Sequence, residues 1–115
     1  MREVRFSEVD LSEPTAQGGT WENIGMTVER IIDLSQFANQ HISTKEEAKS
    51  IANTVLENEQ QNGRYLSFEL MIIEHDLNKN IWIFIYFQDP LLYGPGSDFS
   101  VAVDGNNIEI LRMWV

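Results

Sequence analysis

His75 stands between Glu74 and Asp76, and a histidine beside two carboxylates is the kind of cluster that binds a metal or moves a proton. Neighbours along a strand point to opposite faces, so in an extended segment both acids turn away from the imidazole. The other histidine, His41, lies far off in a polar loop, and His75 reads as a solvated strand end. No Gly-x-Ser-x-Gly elbow occurs. The stretch GPGS, residues 94–97, shares only its glycines with a phosphate loop, because the lysine and the following helix are missing. Cysteine is absent, which removes thiolate chemistry and disulfides. No catalytic, metal or cofactor residues are expected, and the chain reads as a non-enzyme. Glu69 is the one carboxylate that acid–base chemistry would recruit, provided its strand face lined a cavity whose burial raised its pKa.

Binding chemistry has a better candidate. Residues 81–87, IWIFIYF, are followed by a Pro- and Gly-rich loop that carries Tyr93 between Pro90 and Pro95, with Asp89 and Asp98 at its ends. An aromatic anchor on a stiffened loop flanked by acids suits a protein interface. The alternative is that Tyr93 folds back with Leu91 and Leu92 to seal the sheet edge.

These residues need elements to hold them. Val4, Phe6 and Val9 permit a short first strand, and residues 12–19 form a loop. Trp21, Ile24, Val28, Ile31 and Ile32 fall at helical spacing behind Thr20, so the spacing predicts a helix over about 20–40. Thr44 and Glu47 form a capping box, Ala48, Ile51, Ala52, Val55 and Leu56 make one apolar stripe, and Gly63 ends the helix. The period then changes to two. Residues 64–77 alternate as a long strand, 81–87 read as a central strand covered on both faces, and 99–104 and 108–114 are two more strands. DGNN, residues 104–107, joins the last two as a hairpin. Trp82, Phe84 and Tyr86 share one face; Trp82 and Phe84 are assigned to the core. The expected class is α+β, one domain over 1–115, with N-terminal helices packed on a curved antiparallel sheet of four or more strands.

Charge dominates the composition. Eighteen acids against eight bases give a net charge of -10 over 115 residues. Such a chain repels nucleic acid and anionic membranes and attracts a basic partner, although solubility alone would also explain it. No apolar run is long enough to span a bilayer and the start lacks a secretory pattern, so the expected location is the cytoplasm.

The motifs ISTKEEAKSIA, NIWIFIYF and YGPGSDFSVAVDGNNIEILRMW carry a resemblance over residues 42–114. Thr44 to Ala48, Trp82, Gly94 with Gly96, and Asp104 with Gly105 stand in the order seen in small bacterial immunity proteins of the nuclear-transport-factor-like fold. Pro95 between the glycines departs from the pattern, and residues 1–40 match nothing in it. The resemblance implies a cone-shaped, cystatin-like sheet and a cytoplasmic inhibitor from a polymorphic toxin or contact-dependent inhibition system. Its partner would be a cognate toxin domain, in many cases a basic nuclease. Glu69, Asp76, Asp89, Tyr93 and Asp98 are the expected contacts, on a monomer or weak homodimer. The alternatives are a small-molecule-binding protein or enzyme with a pocket in the same fold, and a regulatory interaction module.

Overall fold

A computed structural model describes residues 3–16, 18–88 and 98–115. Among these residues the elements run β1 (Arg5–Val9), a 3-10 turn at Ser35–Phe37, α1 (Lys45–Gln61), β2 (Phe68–Asp76), β3 (Ile81–Gln88), β4 (Asp98–Asp104) and β5 (Glu109–Trp114). The class is α+β. The five strands lie in one sheet in chain order, β1 to β5.

The sheet is mixed, which corrects the all-antiparallel expectation. β1 runs parallel to β2, from Arg5 opposite Ile72 to Val9 opposite Asp76, whereas β2 to β5 form an antiparallel meander. Parallel neighbours cannot be joined by a tight turn, and α1 supplies part of the required crossover. β3 is central and holds its apolar run as read, with Ile81 to Phe84 and Tyr86 all buried.

The capped helix forms where expected. Thr44 Oγ1 accepts the Glu47 N–H at 3.1 Å, and the Glu47 carboxylate reaches back to the N–H of Ser43. Its apolar stripe meets Phe84, Tyr86, Phe99 and Val101 across the sheet, and the Tyr86 hydroxyl donates to the Ala52 carbonyl at 2.7 Å. At the C-terminus Gly63 takes φ +77°, and the N–H groups of Gly63 and Arg64 return to the carbonyls of Gln60 and Glu59. The buried stripe extends one residue further than its apolar members, to Glu59, which is 0% exposed. Its carboxylate is bound by the Arg64 guanidinium and lies 3.6 Å from Arg30 Nε.

No helix forms over 20–40. The apolar residues there serve opposite faces of the sheet, which one helical stripe cannot do. Trp21 packs with Ile81, Ile83, Ala102 and Trp114 on the face away from α1, while Val28 and Ile32 pack on the α1 side. The segment therefore wraps the β5 edge as an irregular strap. Gly25 has φ +79°, and Arg112 holds the strap by donating to the carbonyls of Trp21 and Gly25 and to Thr27 Oγ1.

The β4–β5 hairpin is also built differently from its sequence reading. Gly105 is required for close approach, because a Cβ there would lie 2.7 Å from the Asn80 carbonyl oxygen. Positive φ falls instead on Ile108 and, in the facing turn, on Asn80. Asn80 Oδ1 accepts from Trp82 Nε1 at 3.1 Å and meets His75 Nε2 at 2.8 Å, while Asn80 Nδ2 donates to Asn106 at 3.2 Å. The two turns at this end are thus one hydrogen-bonded unit.

Glu59 generates the first prediction. The double variant Arg30→Ala, Arg64→Ala leaves a buried carboxylate uncompensated and is expected to lose about 3 kcal/mol in urea unfolding. Adding Glu59→Leu to that variant removes the orphan charge and should restore most of the loss.

Candidate functional site

The face of the sheet away from α1 carries Glu69 and Asp98 of the acidic residues expected as contacts. Alternation along each strand puts Glu69 and Glu74 of β2, Phe87 of β3 and Asp98 of β4 on this face. Glu69 stands opposite Phe87, and Phe87 opposite Asp98, so two exposed carboxylates flank one aromatic ring in a single cross-strand row. With strands about 4.8 Å apart, the backbones of the two acids are about 10 Å from each other. Asp89 and Tyr93 lie outside the described residues, in the connection that leaves β3 at this same end.

Asp76 does not belong to this surface. It is 1% exposed, its Oδ1 accepts the Asn78 N–H at 2.8 Å, and its other oxygen is buried without a partner. The carboxylate shapes the β2–β3 turn. Strand alternation alone could not reveal this, because the loop over residues 10–24 covers the sheet at that end.

Between the loop and the sheet lies a cleft of about 370 Å³, with Val9, Leu11, Pro14, Trp21 and Ile83 as apolar lining and Asp10, Glu13 and Glu74 as carboxylates. Glu74 is half-buried. Burial pushes its carboxyl above the usual range, and Arg5 on the neighbouring strand partly offsets the shift. Asp10 is held below its ordinary value by hydrogen bonds from the Ser12 hydroxyl and N–H. Glu74 was passed over at the sequence level because it was read only as a neighbour of His75. The signal that marks it is its place two residues beyond Ile72, on the sheet face that Trp21 covers.

His75 is on the α1 side, stacked on Trp82 with centroids 3.7 Å apart and bonded to Asn80, away from Glu74 and Asp76 as strand alternation requires. Among the described residues, no three His, Asp or Glu side chains gather as a metal site would need. Glu69 is exposed and borders an open groove with Lys49 and Leu56 rather than an enclosed cavity.

The cations are differently disposed. Arg30 and Arg64 are bound to Glu59, and Arg112 to backbone carbonyls of the strap. Among the described residues these Glu59 contacts are the only ion pairs within 4.0 Å, so no exposed carboxylate there has a cation at that distance. No helix among them is long and apolar enough to cross a membrane. Comparison with protein-family models, curated proteins and solved structures finds no match to the chain.

The raised carboxyl of Glu74 has a defined consequence for stability. A carboxyl with a raised folded pKa binds its proton more tightly folded than unfolded. Its contribution is complete below the ordinary carboxylate range and is lost as pH rises through the raised value. Glu74→Gln is therefore expected to raise Tm at about pH 7 and to leave it unchanged at about pH 3, read by thermal unfolding at both.

Proposed function

We propose that the protein is an immunity-type inhibitor that binds a basic toxin domain through the acidic face formed around Glu69, Phe87 and Asp98, on a cystatin-like version of this α+β fold. The observation that carries the reading is the acidic row itself: on a chain of net charge -10, the exposed carboxylates Glu69 and Asp98 have no ion-pair partner within 4.0 Å among the described residues. Opposite fields raise the association rate of such pairs and lose their effect in salt. Phe87 supplies what the acids lack, a half-buried aromatic surface between them that a partner can cover. Asp89 and Tyr93 are further expected contacts of the partner in this reading. The site would act by occupying the partner's cationic groove, in the cytoplasm, with no bond made or broken.

A second reading draws on the Glu74 cleft, where a carboxyl of raised pKa sits beside Trp21 and Ile83. A small neutral or cationic ligand would fit its lining, with Glu74 as hydrogen-bond donor or acid. The two readings separate on Glu74→Gln, which affects only the second.

The test screens the products of the genes flanking this protein's for a basic domain that binds it, and mixes the two in stopped flow; finding no such partner contradicts the proposal. The association rate is expected to fall at least tenfold between about 0.02 and 0.5 M salt, and about tenfold in the variant Glu69→Lys, Asp98→Lys at low salt. A rate insensitive to both changes contradicts the proposal.

A further inference from the structure

Met26 and Val115 exchange two backbone hydrogen bonds of 2.9 Å, and the Val28 N–H donates to the Met113 carbonyl at 2.8 Å. The strap thus begins as an extra rung on the β5 edge, with Thr27 opposite Trp114. The pairing then stops. Among the described residues, no backbone hydrogen bond joins 29–34 to β5, and the chain diverges to leave a cleft of about 810 Å³. Ile31, Ile32 and Ile110 line it on the apolar side, with Gln40, His41 and Asn107 among its polar residues.

This border also collects the exposed apolar side chains. Ile31 is 98% exposed and Met26 73%, and Leu111 and Val115 are exposed beside them. They make four of the seven large hydrophobics exposed among the described residues. Single exposed apolar residues are ordinary, but their concentration along one sheet edge marks a surface that something covers.

Charge decides what that is. Glu29, Asp33 and Glu109 are exposed along the border, against Arg30, which also lines the cleft and lies 3.6 Å from the Glu59 carboxylate, and Arg112, which donates to strap carbonyls. A second copy would bring the same net charge of -10 against these acids, which disfavours self-association. A cationic chain meets complementary charge.

We propose that the β5 edge and the adjoining cleft dock an extended, basic segment of a partner protein, its apolar residues against Ile31, Ile110 and Leu111 and its Lys or Arg residues against Glu29, Asp33 and Glu109. The inference rests on the reading of a basic partner and names a second contact for it, continuous with the acidic face through Trp114 and Val115. The register shift between Ala102 and Val103 places a bulge at Leu111, which interrupts a regular ladder. Side chains in the cleft therefore supply more of the affinity than main-chain pairing does, unlike ordinary strand addition.

The test is an amide NMR titration of the full chain with an eight-residue peptide of alternating Lys and Val, and with its Glu and Val counterpart as control. The Lys peptide is expected to shift amides of 28–34 and 106–111 first, and the Glu peptide to shift none. Ile31→Ser with Leu111→Ser, both at exposed positions that leave the core intact, should weaken binding about tenfold. Leu77→Ser, at an exposed turn leucine away from the border, should not weaken it. Shifts centred on Glu69, Phe87 and Asp98 would overturn the edge assignment and leave the basic-partner reading standing. Equal binding of both peptides, or of neither, would overturn both. Shifts at 28–34 that appear on concentrating the protein alone would make the occupant a second copy and overturn the proposal.

Discussion

The Glu59 carboxylate, buried at the end of α1, is the interaction on which the other features depend. It sits on the core-facing side of the helix and draws Arg64 from just beyond the helix and Arg30 from the strap. Two segments distant in the chain, the helix end and the strap, are joined at one charge. Breaking such an arrangement on one side costs far more than building it gains, because an unpaired buried charge has no solvent to relax into. The cluster therefore acts less as a source of net stability than as a constraint on where the strap can lie. Residues 20–34 have no regular structure of their own, and Glu59 and Arg112 are charged points that fix them beside the backbone hydrogen bonds of Met26 and Val28 to Val115 and Met113.

That constraint reaches the surface. Arg30 and Arg64 sit against an internal carboxylate and Arg112 donates to backbone carbonyls, so three of the eight basic groups are held in place while keeping some exposure to solvent. The acidic row on the outer sheet face follows from the register of β2 to β4, and the apolar border along β5 from how the strap is pinned. One trades on potential, the other on uncovered side chains, and Trp114 links them.

Much of the architecture could be read directly from the residues. The Thr44 cap, the stripe from Ala48 to Leu56, the period-two strands and the central β3 all follow from local patterns that tertiary structure did not override. The strap was illegible for a physical reason. Trp21, Val28 and Ile32 have helical spacing, but that spacing is degenerate with a chain that crosses a sheet edge and buries residues on both sides. The parallel pairing of β1 was hidden because strand direction leaves no mark in five residues. Glu59 was hidden because a glutamate on a helix reads as solvent-facing unless its partners are known. In the candidate surface, Glu69 and Asp98 come together because antiparallel register puts both opposite Phe87, while Asp76 is lost to it under a loop whose path no periodicity encodes.

The central claim is that the outer sheet face projects a negative field around Glu69, Phe87 and Asp98, where two exposed carboxylates stand without an ion-pair partner within 4.0 Å among the described residues. Paramagnetic relaxation of the backbone amides by a cationic and an anionic nitroxide of equal size measures that field residue by residue. The account predicts strong enrichment of the cationic probe over the anionic one at Glu69, Phe87 and Asp98, with the ratio decaying towards one as salt is added. Equal relaxation by the two probes at those amides in low salt would contradict it.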